Sequence, residues 1–165
     1  MRFIFHRNVV KAQHNGYTCG VYSIRFLLFL FWGRHRYSIR QIMTNIIISK
    51  KEGLSPENVV LFLNNANFYK RPLRGMPYKR RGNPYDIIFK KDSTIEELSD
   101  NLPAMVNYLY DGSGHWSVII SKIGDHFLIY NPWIGDLQMF SCHSFEAVWR
   151  SKRYYVKSFI SIKSL

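Results

Sequence analysis

The stretch Gln13-His14-Asn15-Gly16-Tyr17-Thr18-Cys19-Gly20, with the apolar run behind it, decides how this chain is read. From Cys19 onward Val21, Ile24, Leu27, Leu28 and Phe31 recur at the spacing of one helix face. Thr18 stands where a helix is capped and Gly33 where one ends in a left-handed residue. The pattern predicts a buried helix with a cysteine in its first turn. A thiol attacks an acyl carbon as the thiolate, and a helix N-terminus or an adjacent histidine lowers a thiol's pKa. Cys19 is therefore the candidate nucleophile, with a lowered pKa expected. Gln13, six positions earlier, can bring its amide back beside the sulfur if the intervening residues loop. It would then supply an oxyanion donor together with the Cys19 backbone N–H.

A base for that thiol has to come from elsewhere in the chain. Beyond residue 104, β-rich runs at 104–110, 115–123, 126–131 and 137–141 are separated by Asp111-Gly112-Ser113-Gly114, by Gly124-Asp125 and by the segment 132–136. Such alternation of strand and turn residues predicts an antiparallel meander. His115 opens one strand and Asn131 ends the next, so a hairpin turning at Gly124-Asp125 brings them together. The Asn131 amide oxygen can then accept from one imidazole nitrogen, leaving the other to take the thiol proton. The front half reads as helical. A second helix is signalled by Ser38 with Gln41, a third by Ser55-Pro56, and a short one by Ser93 with Glu96. A last helix is expected near 145–149 and a closing strand at 154–162.

The segment 13–20, then Gly114-His115-Trp116-Ser117-Val118, then Leu128-Ile129-Tyr130-Asn131-Pro132-Trp133-Ile134-Gly135, then 145–149, together resemble the bacteriocin-processing, double-glycine leader peptidases of the papain-like clan. The middle is similar too, with a helix followed by an extended stretch at 67–73 and a capped helix leading through Leu102-Pro103-Ala104-Met105-Val106. The resemblance implies a papain-like α+β fold. An N-terminal helical lobe would carry the nucleophile helix, a C-terminal antiparallel sheet lobe the histidine, and the cleft between them the active site. It implies Cys19 as nucleophile, His115 as base, Asn131 as the third residue, Gln13 at the oxyanion hole, a polypeptide substrate and no cofactor. Asn131 stands where the family more often has aspartate, and Thr18 where it often has an acidic residue. Transporter-linked members continue into membrane-spanning and ATP-binding domains, whereas this sequence stops at Leu165. It is expected to be a free-standing relative whose substrate need not be a leader peptide.

Size and composition bound the rest. A chain of 165 residues with 47% hydrophobic content can bury one good core and is short for two, so a single domain over 1–165 is expected. A net charge of +12 favours anionic partners, and Lys79-Arg80-Arg81 in the Pro- and Gly-rich segment 72–84 would offer them an exposed basic loop. Two cysteines make no disulfide framework. The N-terminus lacks a signal-peptide apolar core, and the longest apolar run, 26–32, is far short of the roughly 20 residues that span a bilayer. A soluble cytoplasmic protein is expected. His6, His14, His35, His126 and His143 form no close ligand pairs with Cys142, so no metal site is predicted, and Cys142 reads as a core thiol beside an exposed His143. Three functions stay open: a cysteine peptidase working through a thioester on Cys19, an acyltransferase or transglutaminase-like enzyme with the same triad, and a non-enzymatic basic binding module.

Overall fold

A computed structural model describes residues 12–13, 15–32, 37–50, 53–66, 85–149 and 156–164. The basic run Lys79-Arg80-Arg81, the helix-ending Gly33 and the extended stretch at 67–73 lie outside the described residues. In chain order the elements are α1 (Cys19–Trp32), α2 (Ile39–Thr44), α3 (Pro56–Asn65), β1 (Tyr85–Lys91), α4 (Ile95–Ser99), β2 (Ala104–Tyr110), β3 (Ser113–Ile123), β4 (His126–Asn131), β5 (Asp136–Ser141), α5 (Cys142–Val148) and β6 (Ser158–Ser164). The strands form one six-stranded sheet in the order β1-β6-β2-β3-β4-β5, with every pairing antiparallel. The meander is β2 to β5, and β6 returns to lie between β2 and β1.

Strand side chains alternate between the two faces of a sheet, and here both faces are covered. On one, Met105, Trp116, Val118, Ile120, Tyr130, Ile160 and Ile162 pack with Val21, Ile24, Leu27 and Leu28 of α1 and with α2 and α3. On the other, Ala104, Val106, Tyr108, Ile119, Phe127, Ile129 and Phe159 pack with Ile95 and Leu98 of α4 and with Phe145 of α5. This is the α+β architecture that the sequence resemblance implies. Trp116 and Trp149 fill opposite faces, while Trp133 stands exposed in the turn after β4.

Three local expectations shift. The hairpin joining β2 to β3 turns on only Asp111 and Gly112, both at positive φ (48° and 70°), so Ser113 and Gly114 already belong to the strand. A two-residue loop with both φ positive has the twist that antiparallel strands need. The short helix starts one residue later than expected. Thr94, not Ser93, accepts from the backbone of Glu97, and Glu97 returns a bond to the cap backbone. Strand β1 is not foreseen from sequence, and it pairs along its whole length with β6, for which the sequence suggested the range 154–162.

Candidate active site

Helix α1 delivers Cys19 to the sheet through an unusually close approach. A Cβ at Gly20 would stand 2.7 Å from Leu54 Cδ2, 3.1 Å from Leu54 Cβ and 3.2 Å from Trp116 Cδ1, so any larger residue would have to push Leu54 and the indole aside. Trp116 is held there by its own N–H, which donates to the Leu54 carbonyl at 2.9 Å in a buried bond. Thr18 does begin the helix, since its carbonyl accepts from Val21 and Tyr22. Its hydroxyl, however, donates backward to the Asn15 carbonyl and caps nothing.

Cys19 is 5% exposed, and its sulfur faces the backbone of Trp116, of Gly20 and of Cys19 itself, groups that favour its anion. It therefore lies against the residue that follows His115. The sequence led to an expected lowering of this thiol's pKa, and the structure reverses it. Burial is the larger influence and raises the thiol, outweighing the backbone groups that favour its anion.

His115 sits near the start of β3 directly across from Tyr108 on β2. The Tyr108 ring meets the imidazole edge-on at 5.7 Å and the Tyr110 ring lies tilted over it at 5.2 Å. Enclosed this way, His115 is 5% exposed, and burial pushes its pKa down to about 4 against a smaller upward pull from Asn131. Its Nε2 lies 3.0 Å from Oδ1 of the fully buried Asn131. The proton's position follows from the surroundings. The backbone N–H of Trp133, which can only donate, reaches the same Asn131 atom at 3.0 Å, so that atom is the oxygen. His115 Nε2 then carries the hydrogen and Nδ1 keeps a lone pair free.

Gln13 reaches the same corner. Its backbone N–H donates to the Pro132 carbonyl at 2.7 Å, fastening the 13–18 loop to the turn that follows Asn131. Its Nε2 donates to the Asn15 carbonyl at 2.7 Å, and its Oε1 is buried without a partner among the described residues. One hydrogen on that nitrogen has no acceptor among the described residues.

The structure thus pairs His115 with Asn131, ties the Gln13 loop to the turn after Asn131, and sets Cys19 at the α1 N-terminus against Trp116, the residue after His115. It adds a residue that sequence reasoning missed. Asn131 Nδ2 donates to Gln138 Oε1 at 3.0 Å from the neighbouring strand β5. The turn between β4 and β5 carried the signal, because pairing Asn131 with Asp136 sets Gln138 opposite Ile129, one pleat away. Cys142 lies elsewhere. It begins α5, is buried with the opposite-face core and has the exposed His143 beside it.

A cysteine helix laid against a histidine strand, on an antiparallel sheet with helices on both faces, defines the α+β papain-like peptidase fold. In particular, the chain has the fold of double-glycine peptidase domains. One such structure is a double glycine motif protease from an AMS/PCAT transporter, in complex with the leader peptide. It superimposes with a TM-score of 0.68 at 13% identity, over 94% of this chain and 91% of that one. Another is the peptidase domain of Streptococcus ComA, a bi-functional ABC transporter of a quorum-sensing pathway, with a TM-score of 0.65 at 13% identity over 94% and 97%. The peptidase domain of Streptococcus mutans ComA with a small-molecule inhibitor gives 0.53 at 12% identity over 93% and 98%. No protein-family model matches the sequence, and neither does any curated protein.

Proposed function

We propose that this protein is a cysteine peptidase that cleaves a peptide bond through a thioester on Cys19. The observation that carries the reading is the pairing of a hydrogen-bonded His115–Asn131 couple with a thiol lying against the next residue's backbone. The shifts of both reacting groups favour a resting pair of neutral thiol and neutral imidazole. His115 then acts as a general base and not as half of a preformed ion pair. Its Nδ1 takes the thiol proton as sulfur bonds to the substrate carbonyl carbon. The resulting oxyanion accepts from the Cys19 backbone N–H and from Gln13 Nε2. Collapse expels the amine, which leaves with the proton held by His115, and a thioester remains. Water gives a proton to His115 as it attacks that thioester, and the sulfur departs reprotonated. Asn131 keeps the imidazole oriented and its proton on Nε2.

The substrate is proposed to be a polypeptide, in keeping with the leader peptide bound by the AMS/PCAT protease of the same fold. Both cysteines are free, which suits a reducing compartment, and the cytoplasm is the proposed location. Among the described residues no helix is long and apolar enough to cross a membrane.

The test begins with iodoacetamide. Cys19 is at least as buried as Cys142, so faster alkylation of Cys19 reports the assisting base and not exposure. Peptide-library digestion read by mass spectrometry should give cleaved products with the wild type and none with Cys19→Ala. Equal labelling of the two thiols, or products joined through a new amide in place of hydrolysis, would overturn the peptidase reading.

A further inference from the structure

We infer that Gln138 is a positioning residue for the site, fixing which end of the Asn131 amide faces His115. The inference rests on the proposed roles of His115 and Asn131, but its decisive readout does not require turnover. An asparagine beside a histidine has a failing that a carboxylate lacks. Its two ends are nearly the same in shape and opposite in hydrogen bonding. With Oδ1 toward the ring, His115 Nε2 carries the proton and Nδ1 is a base. With Nδ2 toward the ring, Nε2 must accept, the proton moves to Nδ1, and the ring can no longer take one from the thiol. Asn131 has no solvent to fall back on, being fully buried.

Two contacts oppose the wrong orientation. The Trp133 backbone N–H holds Oδ1, and Gln138 Oε1 accepts from Nδ2, each at 3.0 Å. The first comes with the turn whatever the side chains are. The second depends on one half-buried residue of β5, the edge strand of the sheet. Without Gln138, Nδ2 is a buried donor with no acceptor among the described residues, and the Trp133 N–H alone is left to favour the productive orientation over the flipped one.

The experiment is a mutant cycle read in two ways. Nitrogen-15 shifts of the His115 ring give the tautomer, and the iodoacetamide rate at Cys19 gives the reactivity. In the wild type Nε2 should be the protonated nitrogen. Gln138→Met should move the shifts toward a mixture of tautomers and slow alkylation roughly three- to tenfold, the worth of one net hydrogen bond. Gln138→Glu keeps an acceptor opposite Nδ2 and should restore both readouts. In an Asn131→Asp background the carboxylate has no wrong end, so adding Gln138→Met should cost little. If Gln138→Met does not fold, Gln138→Val removes the same acceptor with a better strand former.

Unchanged nitrogen shifts in both acceptor-less variants would overturn the inference. So would an equal loss of reactivity in the Asn131→Asp background, which marks a merely structural role. Failure of the peptidase reading shows separately, as wild-type Cys19 reacting no faster than Cys142 while the ring shifts still report on Gln138.

Discussion

His115 is where burial and chemistry pull against each other most openly. The protein encloses it between tyrosines and pairs it with a neutral amide, so neither its ring neighbours nor its hydrogen-bond partner offers the negative charge that would stabilise an imidazolium. Its pKa of about 4 lies below the ordinary 6.5, which makes stability depend on pH with a definite sign. Above pH 6.5 folded and unfolded chains both hold a neutral ring, and the full contribution is present. As pH falls toward 4 the unfolded chain takes up a proton that the native state refuses, so stability is lost, by about 3 kcal/mol for a shift of this size. Urea midpoints measured between pH 7 and 4 should therefore decline less steeply for His115→Gln than for the wild type. Parallel declines would mean that the ring is not held neutral. The pairing of His115 with Asn131 could be read from sequence, because a hairpin of known turn fixes which strand ends meet. The direction of the Cys19 shift could not. Motif spacing reports that backbone N–H groups will face the sulfur and says nothing about how much water the fold removes from it.

Elements are positioned by contacts that sequence rules capture unevenly. Both Ser93-x-x-Glu96 and Thr94-x-x-Glu97 fit a capping box, and spacing does not choose between them. The structure takes the second, with Thr94 at the cap and Ile95 and Leu98 of the helix buried in the core. Thr94→Ala should then cost about 1 kcal/mol in urea unfolding, the usual worth of an N-cap. Ser93→Ala should be neutral or slightly stabilising, since the Ser93 hydroxyl is buried without a partner among the described residues. Equal costs at the two positions would return the cap to Ser93. Helix α1 makes the complementary case. Gly20 is a poor helix residue on propensity, and replacing it with alanine on an exposed face would gain up to about 1 kcal/mol. Here the added methyl meets Leu54 and the Trp116 ring, so Gly20→Ala should cost about 1–3 kcal/mol and slow Cys19 alkylation by displacing the first turn. Leu54→Ala should relieve part of that cost. A Gly20→Ala protein as stable and as reactive as the wild type would show that the close approach has slack. No periodicity argument reaches this glycine, because its reason lies on β3 and on the segment before α3.

At the scale of the molecule the sheet is what makes the two halves of the chain one object. Sequence reading divided them, helices in front and strands behind, and that division is correct for most elements. It missed β1 because Tyr85–Lys91 directly follows the Pro- and Gly-rich segment, and its partner β6 lies at the other end of the chain, with Tyr85 paired to Ser164. A pairing that distant leaves no local trace beyond a short apolar run, which periodicity alone does not assign to strand or helix. The consequence is mechanical. The α1 face and the α5 face bury different side chains, yet β2, β3, β4 and β6 supply both from alternate residues, so neither core survives melting of the sheet. Phe145, fully buried on the α5 face and touching no α1 residue within either core cluster, tests this at a distance. Phe145→Ala should remove about 3–5 kcal/mol. If the chain from end to end is one cooperative unit, the slowest-exchanging amides of α1, across the sheet, must lose protection by the same free energy, and circular dichroism and tryptophan fluorescence must report one shared transition. Protection in α1 that outlasts the loss at α5 would show the two faces unfolding separately, and the single-domain reading would fall with it.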